Sequence, residues 1–271
     1  MIDGALPYLR CPVCEQPLSR TDRVLRCAAG HAFDLARQGY ANLSNGRVPY
    51  PGDTAEMVAD RETFLHAGHY AFIAGALAAY ASHESGDRLV VDAGTGTGYY
   101  LARVLEAAGD STGLGIDVSK AALRRAARAH PRAAAVLADL WRPLPIRDGA
   151  AALLLNVFAP RNGAEFHRVL RPDGMLLVVT PAQDHLTELI DAHGLIHVDP
   201  DKAARVADSL GTHFTAVESR VLRHRVKLTG PEVRTLIGMT PNAHHVPAAT
   251  RPDDAATVTA AITLTAYRKR P

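Results

Sequence analysis

The chain has 271 residues, of which 47% are hydrophobic and 21% charged, and this composition excludes a wholly disordered protein. Its formal net charge of +2 permits a nucleic-acid partner without indicating one. The longest nearly apolar stretch, residues 71–81, is too short to span a bilayer, and the first residues lack a secretory signal pattern, so we expect a cytoplasmic protein with no membrane partner.

The first 40 residues contain all three cysteines of the chain and predict a small zinc-binding domain over residues 1–40. Cys11, Cys14, Cys27 and His31 have the spacing C-x2-C-x12-C-x3-H, which suits three thiolates and one imidazole around a tetrahedral Zn²⁺. Four protein ligands leave no open position, so the expected site is structural, and so short a segment depends on it to fold. The alternative is a set of unrelated buried cysteines with a chance histidine.

Residues 41–68 are predicted to form a linker and a connecting helix. The first part of this segment is rich in Asn, Gly and Pro, which is typical of a loop. Asp53 or Thr54 is suited to cap a helix over residues 54–66. A second, alanine-rich helix is expected over residues 70–81.

From residue 88 onward, apolar runs of strand length alternate with helical patterns, which predicts an α/β fold with a parallel sheet. The expected strands are RLVVDAG, GLGID, AAVLAD, AALLLNVF and GMLLVVT, with helices over residues 98–108, 119–129 and 163–169. Two later strands, over residues 214–227 and 260–269, are expected to form an antiparallel edge of the same sheet. The second domain is predicted over residues 69–271.

The turn after the first of these strands is rich in glycine. Gly94, Gly96 and Gly98 let the backbone turn sharply and let a ligand approach it closely. The dinucleotide fingerprint fails because its last glycine would fall at Tyr99, and a P-loop is excluded because no Gly-Lys-Ser/Thr follows. Counted from Asp92, the remaining pattern D-x-G-x-G-x-G resembles the first motif of class I S-adenosylmethionine (SAM)-dependent methyltransferases.

Polar residues also mark the ends of the later strands. Asp117 ends the second strand, where an acid can accept hydrogen bonds from both ribose hydroxyls. Asp139 ends the third, where methyltransferases of this class often contact the adenine amino group, and Asn156 ends the fourth, near the usual site of the methyl acceptor. A helix cap explains any one acid alone, but three acids at one carboxyl edge favour a SAM site. A different nucleotide site or a degenerate Rossmann unit is the alternative.

Several stretches resemble the bacterial 23S ribosomal RNA (guanine-N1)-methyltransferases. They are LRCPVCEQPL, RCAAGHAFDLARQGYANL, GDTAEMVADRETFLHAGHY, VVDAGTGTGYY, NVFAPRN, VVTPAQDHLTEL and GMTP. The resemblance implies a small N-terminal zinc-ribbon-like domain followed by a Rossmann-like class I methyltransferase domain with a mostly parallel, seven-stranded sheet. Within the family, ARQGYANL, ADLWRPLPIRDGAAALLLNVFAPRN and VVTPAQDHL look closest to the tylosin-resistance type.

This resemblance implies SAM-dependent N1-methylation of a guanine in hairpin 35 of 23S rRNA, of the position 748 type, with macrolide resistance as its consequence. The other subgroup modifies the neighbouring guanine 745. The implied cofactors are SAM and one structural Zn²⁺, the implied partner is 23S rRNA, and enzymes of this class often form homodimers. Because the target lies in a hairpin, its base has to leave the stack to reach the cofactor.

The resemblance also assigns individual residues. The three cysteines and His31 match the family's zinc ligands, and four positions match its SAM contacts: Tyr70, Gly96, Thr97 and His185. The simpler interpretations are an ordinary aromatic residue beside a helix for Tyr70 and a surface histidine for His185. The chain departs from its relatives after Met239-Thr-Pro, where they usually carry aromatic residues and this chain has Asn242-Ala-His244-His245. Stacking on the target base would then fall to His244 or another group.

The sequence does not identify the general base that guanine N1 requires. Asn156 can hydrogen-bond a base edge but cannot take a proton, and Asp53 is a second candidate whose simpler role is a helix cap. Basic residues that are candidates for contacts with RNA phosphates fall into three groups: Arg10, Arg20, Arg23, Arg26 and Arg37 near the cysteines; Lys120, Arg124, Arg125, Arg128 and Arg132; and Arg220, Arg223, Arg225 and Lys227. We expect the zinc domain and the methyltransferase domain to form two walls of an RNA cleft.

Two other functions are compatible with these motifs. A methyltransferase acting on a small molecule would have an enclosed apolar pocket beside Asn156. A non-enzymatic RNA-binding protein with a relic fold would bind no SAM, and the intact series Asp92, Gly94, Gly96, Gly98 and Asp117 argues against it.

Overall fold

The computed structural model describes residues 2–46, 52–81 and 88–271. Its N-terminal part is a zinc-ribbon-like unit built on a three-stranded antiparallel sheet in the order β1-β2-β3. The elements of this unit are α1 (Ile2–Ala5), a 3₁₀ turn (Leu6–Tyr8), β1 (Leu18–Thr21), β2 (Val24–Cys27) and β3 (Ala32–Asp34).

The rest of the described chain is organised around an eight-stranded sheet. Its strands are β4 (Ala41–Asn42), β5 (Leu89–Ala93), β6 (Thr112–Asp117), β7 (Ala133–Leu137), β8 (Ala151–Val157), β9 (Leu170–Pro181), β10 (Phe214–Leu228) and β11 (Ala256–Lys269). The spatial order is β10-β11-β9-β8-β5-β6-β7-β4. Strands β4 to β9 pair in parallel, and β10 and β11 form the predicted antiparallel edge.

This sheet contains the seven predicted strands and one more. The additional strand, β4, pairs in parallel with Val136 and Leu137 of β7. Sequence analysis did not predict it because two residues are too few to show alternation. Its position is set by the path of the chain out of the ribbon. The predicted domain boundaries at residues 40 and 68 stay a prediction.

Helices cover both faces of the sheet. They are α2 (Ala55–His66), α3 (Ala71–Ala81), α4 (Tyr99–Ala107), α5 (Lys120–Ala126), α6 (Gly163–Val169), α7 (Thr187–His193), α8 (Lys202–Gly211) and α9 (Gly230–Gly238), with 3₁₀ turns at Pro241–His244 and Ala248–Thr250. Of the two predicted caps for α2, Thr54 is the one that accepts a hydrogen bond, from the backbone N–H of Met57. In the described part of the chain, no helix has the length and apolar character needed to cross a membrane.

The ribbon and the large sheet share one hydrophobic core. Cys11 and Leu25 of the ribbon are fully buried in the same cluster as Leu89 and Ile116 of the sheet. The backbone N–H of Arg10 donates to the carbonyl of Pro145 at 3.1 Å, so hydrogen bonding also joins the two parts. The ribbon is therefore packed against the large sheet.

Candidate active site and metal centre

The four predicted zinc ligands meet at one point in the ribbon. Their ligand atoms all lie within 4.8 Å of one another. Nδ1 of His31 is 3.6 Å from Sγ of Cys11 and 3.3 Å from Sγ of Cys27, and the sulfurs of Cys14 and Cys27 are 3.5 Å apart. These separations match the edges of a zinc tetrahedron, which are about 3.5 Å for the usual Zn–S and Zn–N bond lengths. The residues present fit a structural Zn²⁺.

The glycine-rich loop follows β5 and opens helix α4. Gly94 and Gly98 have φ of +85° and +81°, a region that side chains other than glycine rarely adopt. A Cβ at Gly94 would lie 2.3 Å from Cβ of Ala159, and one at Gly98 would lie 2.9 Å from Cα of Ala126. The glycines are therefore required both by the backbone conformation and by close packing against the neighbouring elements.

The three predicted acids lie at the carboxyl ends of the adjacent strands β5, β6 and β7. Asp117 accepts hydrogen bonds from the backbone N–H groups of Gly96 at 2.9 Å and Ser119 at 2.8 Å, which fixes its carboxylate beside the loop. Burial raises the pKa of Asp117, although these two N–H groups oppose the shift. Asp139 accepts from the backbone N–H of Trp141 at 3.0 Å. The expected alignment of acids along one sheet edge is present.

Asp92 lies at the base of the loop and is only 1% exposed. Its Oδ2 accepts from the hydroxyl of Thr95 at 2.8 Å, and its Oδ1 is buried without a partner among the described residues. Burial raises the pKa of Asp92 from 3.8 to about 7, and the Thr95 hydroxyl opposes the shift. Oδ1 of Asp92 is thus a buried acceptor without a described partner beside the glycine-rich loop. Such an atom fits a site in which a bound polar ligand supplies the missing hydrogen bond.

Tyr70 and His185 come from distant segments and lie side by side. The Tyr70 hydroxyl is 3.4 Å from Nε2 of His185, and burial raises the pKa of Tyr70, so the hydroxyl stays a donor. Burial lowers the pKa of His185 to about 4, so the imidazole is neutral at neutral pH. If Nε2 accepts from Tyr70, Nδ1 carries the ring proton, and Nδ1 is buried without a described partner. Such a donor suits the carboxylate of a methionine moiety.

Asn156, one of the two candidate catalytic residues, braces the loop after β8. It is fully buried, and its amide donates to the carbonyl of Ala93 at 3.1 Å and to that of Pro160 at 2.8 Å. Both N–H groups of the amide are thereby used within the chain. Oδ1 alone is buried without a described partner. Asn156 therefore has no N–H left to donate to a guanine.

Asp53, the other candidate, forms an ion pair with Arg61, which sequence reasoning did not single out. Arg61 also donates to the carbonyl of Met239 at 2.9 Å. A Cβ at Gly96 would lie 3.4 Å from Nη1 of Arg61, so this side chain lies directly over the glycine loop. Its only sequence signal was membership of the stretch GDTAEMVADRETFLHAGHY. Phe158, in NVFAPRN, was missed in the same way.

The three groups of basic residues differ in how their members are paired. Several arginines are engaged in ion pairs: Arg10 with Glu15 and Asp148, Arg20 with Asp3, Arg125 with Glu62, Arg220 with Glu218 and Arg223 with Asp184. Arg26 and Arg37 on the ribbon are exposed and form no ion pair within the described residues. The ribbon thus offers two arginines that are open to an external anion.

The segment after Met239 is folded into the protein through Asn242. Oδ1 of Asn242 accepts from the backbone N–H of Ile196 at 2.9 Å, and its amide donates to the hydroxyl of Thr240 at 3.2 Å. His244 follows on an exposed 3₁₀ turn. Asn242 therefore has a structural role in this chain.

Known proteins match both parts of the chain. A family model described as "RlmA, N-terminal" matches residues 9–44, and a methyltransferase-domain model matches residues 90–174. A protein of Micromonospora griseorubida, provisionally named a 23S rRNA (guanine-N(1)-)-methyltransferase, is 56% identical over 97% of this chain and 98% of its own length. The chain belongs to the 23S rRNA (guanine-N1)-methyltransferase family.

Two further members of this family match the chain at similar coverage. A Streptomyces fradiae protein named 23S rRNA (guanine(748)-N(1))-methyltransferase is 51% identical over 90% of this chain and 89% of its own length. A Bacillus subtilis (strain 168) protein, provisionally named a 23S rRNA (guanine-N(1)-)-methyltransferase, is 32% identical over 88% of this chain and 87% of its own.

Among solved structures, a chain of the complex between the Haloferax volcanii Trm112 methyltransferase activator and a methyltransferase has the same fold. It matches with a TM-score of 0.52 and 17% identity over 79% of this chain and 94% of its own length. The predicted fold class, the zinc ribbon and the SAM-dependent methyltransferase domain of this guanine-N1 methyltransferase family member are thus confirmed. The assignments of individual SAM-binding residues stay predictions.

Proposed function

We propose that this protein transfers the methyl group of SAM to N1 of guanine 748 in hairpin 35 of 23S rRNA, and that this confers macrolide resistance. The observation that carries the proposal is the 51% identity, over nine-tenths of both chains, to the Streptomyces fradiae protein named for that guanine. Because the substrate is ribosomal RNA, we place the reaction in the cytoplasm. A homodimer stays a prediction, which sedimentation velocity of the purified protein tests.

The described residues give each part of SAM a chemically suitable partner. Asp117 would accept from the ribose hydroxyls and Asp139 from the adenine amino group, since each carboxylate oxygen can accept more than one hydrogen bond. The buried Nδ1 of His185 would donate to the methionine carboxylate. When bound, SAM supplies a methyl group already activated by its sulfonium.

The protein's contribution to such a reaction is mainly positioning. An extruded guanine has to present N1 to the activated methyl group, and holding two reactants in line is worth several orders of magnitude in rate. The loop after β8 lies against the glycine loop, as the close approach of Ala159 to Gly94 shows. Phe158 in this loop is 42% exposed, so this end of the strand opens to solvent, which favours a large acceptor over an enclosed small molecule.

The test is methyl transfer from labelled SAM to a transcript of hairpins 33 to 35 of 23S rRNA, mapped by primer extension. N1-methylguanine blocks base pairing, so reverse transcription is expected to stop at guanine 748. Asp117→Ala, which removes the proposed ribose acceptor, is expected to lose both SAM binding and the stop. A stop at guanine 745 would assign the other subgroup. SAM binding without transfer to this transcript or to intact 23S rRNA would contradict the proposal and favour a small-molecule acceptor.

A further inference from the structure

Phe158 has a strained backbone that the packing of its own side chain does not explain. Among the described residues, four that are not glycine have positive φ: Glu15, Asp22, Phe158 and Leu186. Bulky side chains avoid this region, and such residues concentrate at functional sites. Leu186 is 7% exposed, so burial of its side chain offsets the strain, whereas Phe158 is 42% exposed at a φ of +53°.

The surrounding loop holds Phe158 in this conformation. Its backbone N–H donates to the carbonyl of Val179 at 3.0 Å. Asn156, two residues earlier, donates to the carbonyl of Pro160, two residues later, and so clamps both sides of Phe158. The close contact between Gly94 and Ala159 ties the same loop to the glycine motif. The backbone of Phe158 is therefore held in a fixed position relative to the glycine loop.

The ring lies beside the two residues that match the family's SAM contacts outside the glycine loop. Its centroid is 6.4 Å from that of Tyr70 and 6.2 Å from that of His185. Tyr70 is buried and His185 is half-buried, and Phe158 is the most exposed member of the group. An aromatic surface is thus presented at the mouth of the site, next to where His185 would hold the methionine end of SAM.

We propose that the ring of Phe158 is the platform on which the extruded target guanine stacks. This inference rests on the proposed function and adds the residue that positions the acceptor. Every base has a π face, and proteins that bind unstacked bases commonly use aromatic side chains for it. Residues 240–255, the segment after Met239, contain no Phe, Tyr or Trp that could serve as this platform. One face of the guanine would stack on this ring, and its N1 edge would be free to meet the methyl group that SAM supplies.

The experiment compares two hairpin 35 transcripts, one with the target guanosine and one with an abasic nucleotide at that position. The affinity of the protein loaded with S-adenosylhomocysteine is measured for both by fluorescence anisotropy. Phe158→Leu, which keeps apolar bulk but loses the π face, is expected to weaken binding of the guanosine hairpin by roughly 10- to 100-fold. Its affinity for the abasic hairpin is expected to stay at the wild-type value, because the stacking partner is missing there.

Further variants separate stacking from other roles. Phe158→Tyr keeps the ring and is expected to bind the guanosine hairpin within about threefold of wild type. Val217→Ala truncates a similarly exposed apolar side chain on the outer strand β10 and serves as the control. Thermal unfolding checks that each variant is folded. If Phe158→Leu is not, Phe158→Gly replaces it, since glycine accepts the positive φ.

Three results would overturn the inference. An equal loss of affinity for both hairpins would make Phe158 a contact to another part of the RNA. A matching loss of SAM affinity, measured by calorimetry, would make it a cofactor contact. If Phe158→Leu changes neither binding of the guanosine hairpin nor kcat/KM, Phe158 does not contact the target base. A wild-type protein that binds SAM but neither methylates the hairpin nor prefers guanosine over the abasic nucleotide would instead refute the proposed function.

Discussion

At the residue scale, the site depends on buried polar groups whose remaining partners are not supplied by the chain. Asp92 and Asn156 each keep an oxygen without a described partner, and His185 keeps a ring nitrogen. Buried polar atoms are normally satisfied, so their concentration around the glycine loop marks the place that a ligand completes. The same groups make the cofactor-free protein less stable than its apolar core alone would predict.

Asp92→Asn is expected to remove a pH-dependent destabilisation of the cofactor-free protein. Because burial raises the pKa of Asp92 from 3.8 to about 7, the folded state binds this proton more tightly than the unfolded chain does. The carboxyl therefore stabilises the fold below about pH 4, and this contribution is lost as the pH rises toward 7. The variant's free energy of unfolding, relative to wild type, should increase by about 4 kcal/mol from pH 4 to pH 8.

Urea unfolding across this pH range measures the difference, with the exposed Asp110→Asn as the matched control. If the difference in free energy of unfolding between Asp92→Asn and wild type does not change with pH, burial of the carboxyl is not its cause.

Gly94→Ala and Gly68→Ala separate backbone strain from steric exclusion. Their φ values are +85° and +84°, but a Cβ at Gly94 would lie 2.3 Å from Cβ of Ala159, whereas a Cβ at Gly68 would have no neighbour within 4 Å. Gly68→Ala is expected to lower the free energy of unfolding by about 1–2 kcal/mol, from strain alone. Gly94→Ala should lower it by about 2–5 kcal/mol, since overpacking adds to the strain. Equal losses in denaturant unfolding would show that the contact with Ala159 relaxes freely.

At the element scale, helices α2 and α9, which are distant in sequence, lie over the sheet edge at which Asp92, Asp117 and Asp139 meet. Helix α2 contributes Arg61, which reaches over the glycine loop to the carbonyl of Met239 after α9. Asp60 on the same helix pairs with Arg251 at 2.9 Å, and His69 after it pairs with Glu232 of α9 at 2.8 Å. These contacts position the α2–α9 pair across the site.

The zinc ribbon is the element whose stability depends most on a ligand. Its strands have three or four residues each, too few for a stable sheet without a cross-link. Since Cys11 and Leu25 belong to the core shared with the large sheet, removal of zinc should destabilise the whole protein. Treatment with EDTA is expected to lower the melting temperature by roughly 5 °C or more.

Calorimetry together with zinc analysis tests this expectation, with zinc-saturated EDTA as the reagent control. His31→Cys, which preserves four ligands, should retain zinc and melt near wild type, whereas His31→Ala should behave like the chelated protein. An unchanged melting temperature after complete zinc loss would mean that the ribbon folds without the ion.

At the scale of the whole molecule, the shared core holds the ribbon against the methyltransferase sheet. The bridge between Leu9 and Ile146 and the hydrogen bond from Arg10 to Pro145 lie along this contact. The exposed Arg26 and Arg37 are carried on the ribbon. That the two domains form the walls of an RNA cleft stays a prediction.

Replacement of Arg26 and Arg37 together by Gln is expected to weaken binding of the hairpin 35 transcript without changing SAM affinity. Each lost phosphate contact should reduce the slope of log K against log salt by about 1. Arg20→Gln is the matched control, because Arg20 on the same ribbon is already paired with Asp3 at 2.6 Å. A salt slope equal to that of wild type would place the RNA on another surface.

The sequence by itself determined the features that depend on short spacing or on strand polarity. The C-x2-C-x12-C-x3-H spacing predicted a zinc cluster that the structure brings within 4.8 Å. The positions of Asp92, Asp117 and Asp139 predicted a common sheet edge, because the carboxyl ends of neighbouring parallel strands meet there. Such patterns are local, and the chain can adopt them in only a few ways.

Only the tertiary structure decided how residues distant in sequence share their hydrogen bonds and exposure. Tyr70 and His185 are 115 residues apart, and their contact joins the turn before α3 to the loop after β9. Asn156 stabilises the loop after β8 because its amide donates to the carbonyl groups of Ala93 and Pro160. Phe158 reaches solvent because this loop holds its backbone at positive φ. Long-range packing sets these roles, so no pattern of neighbouring residues could have shown them.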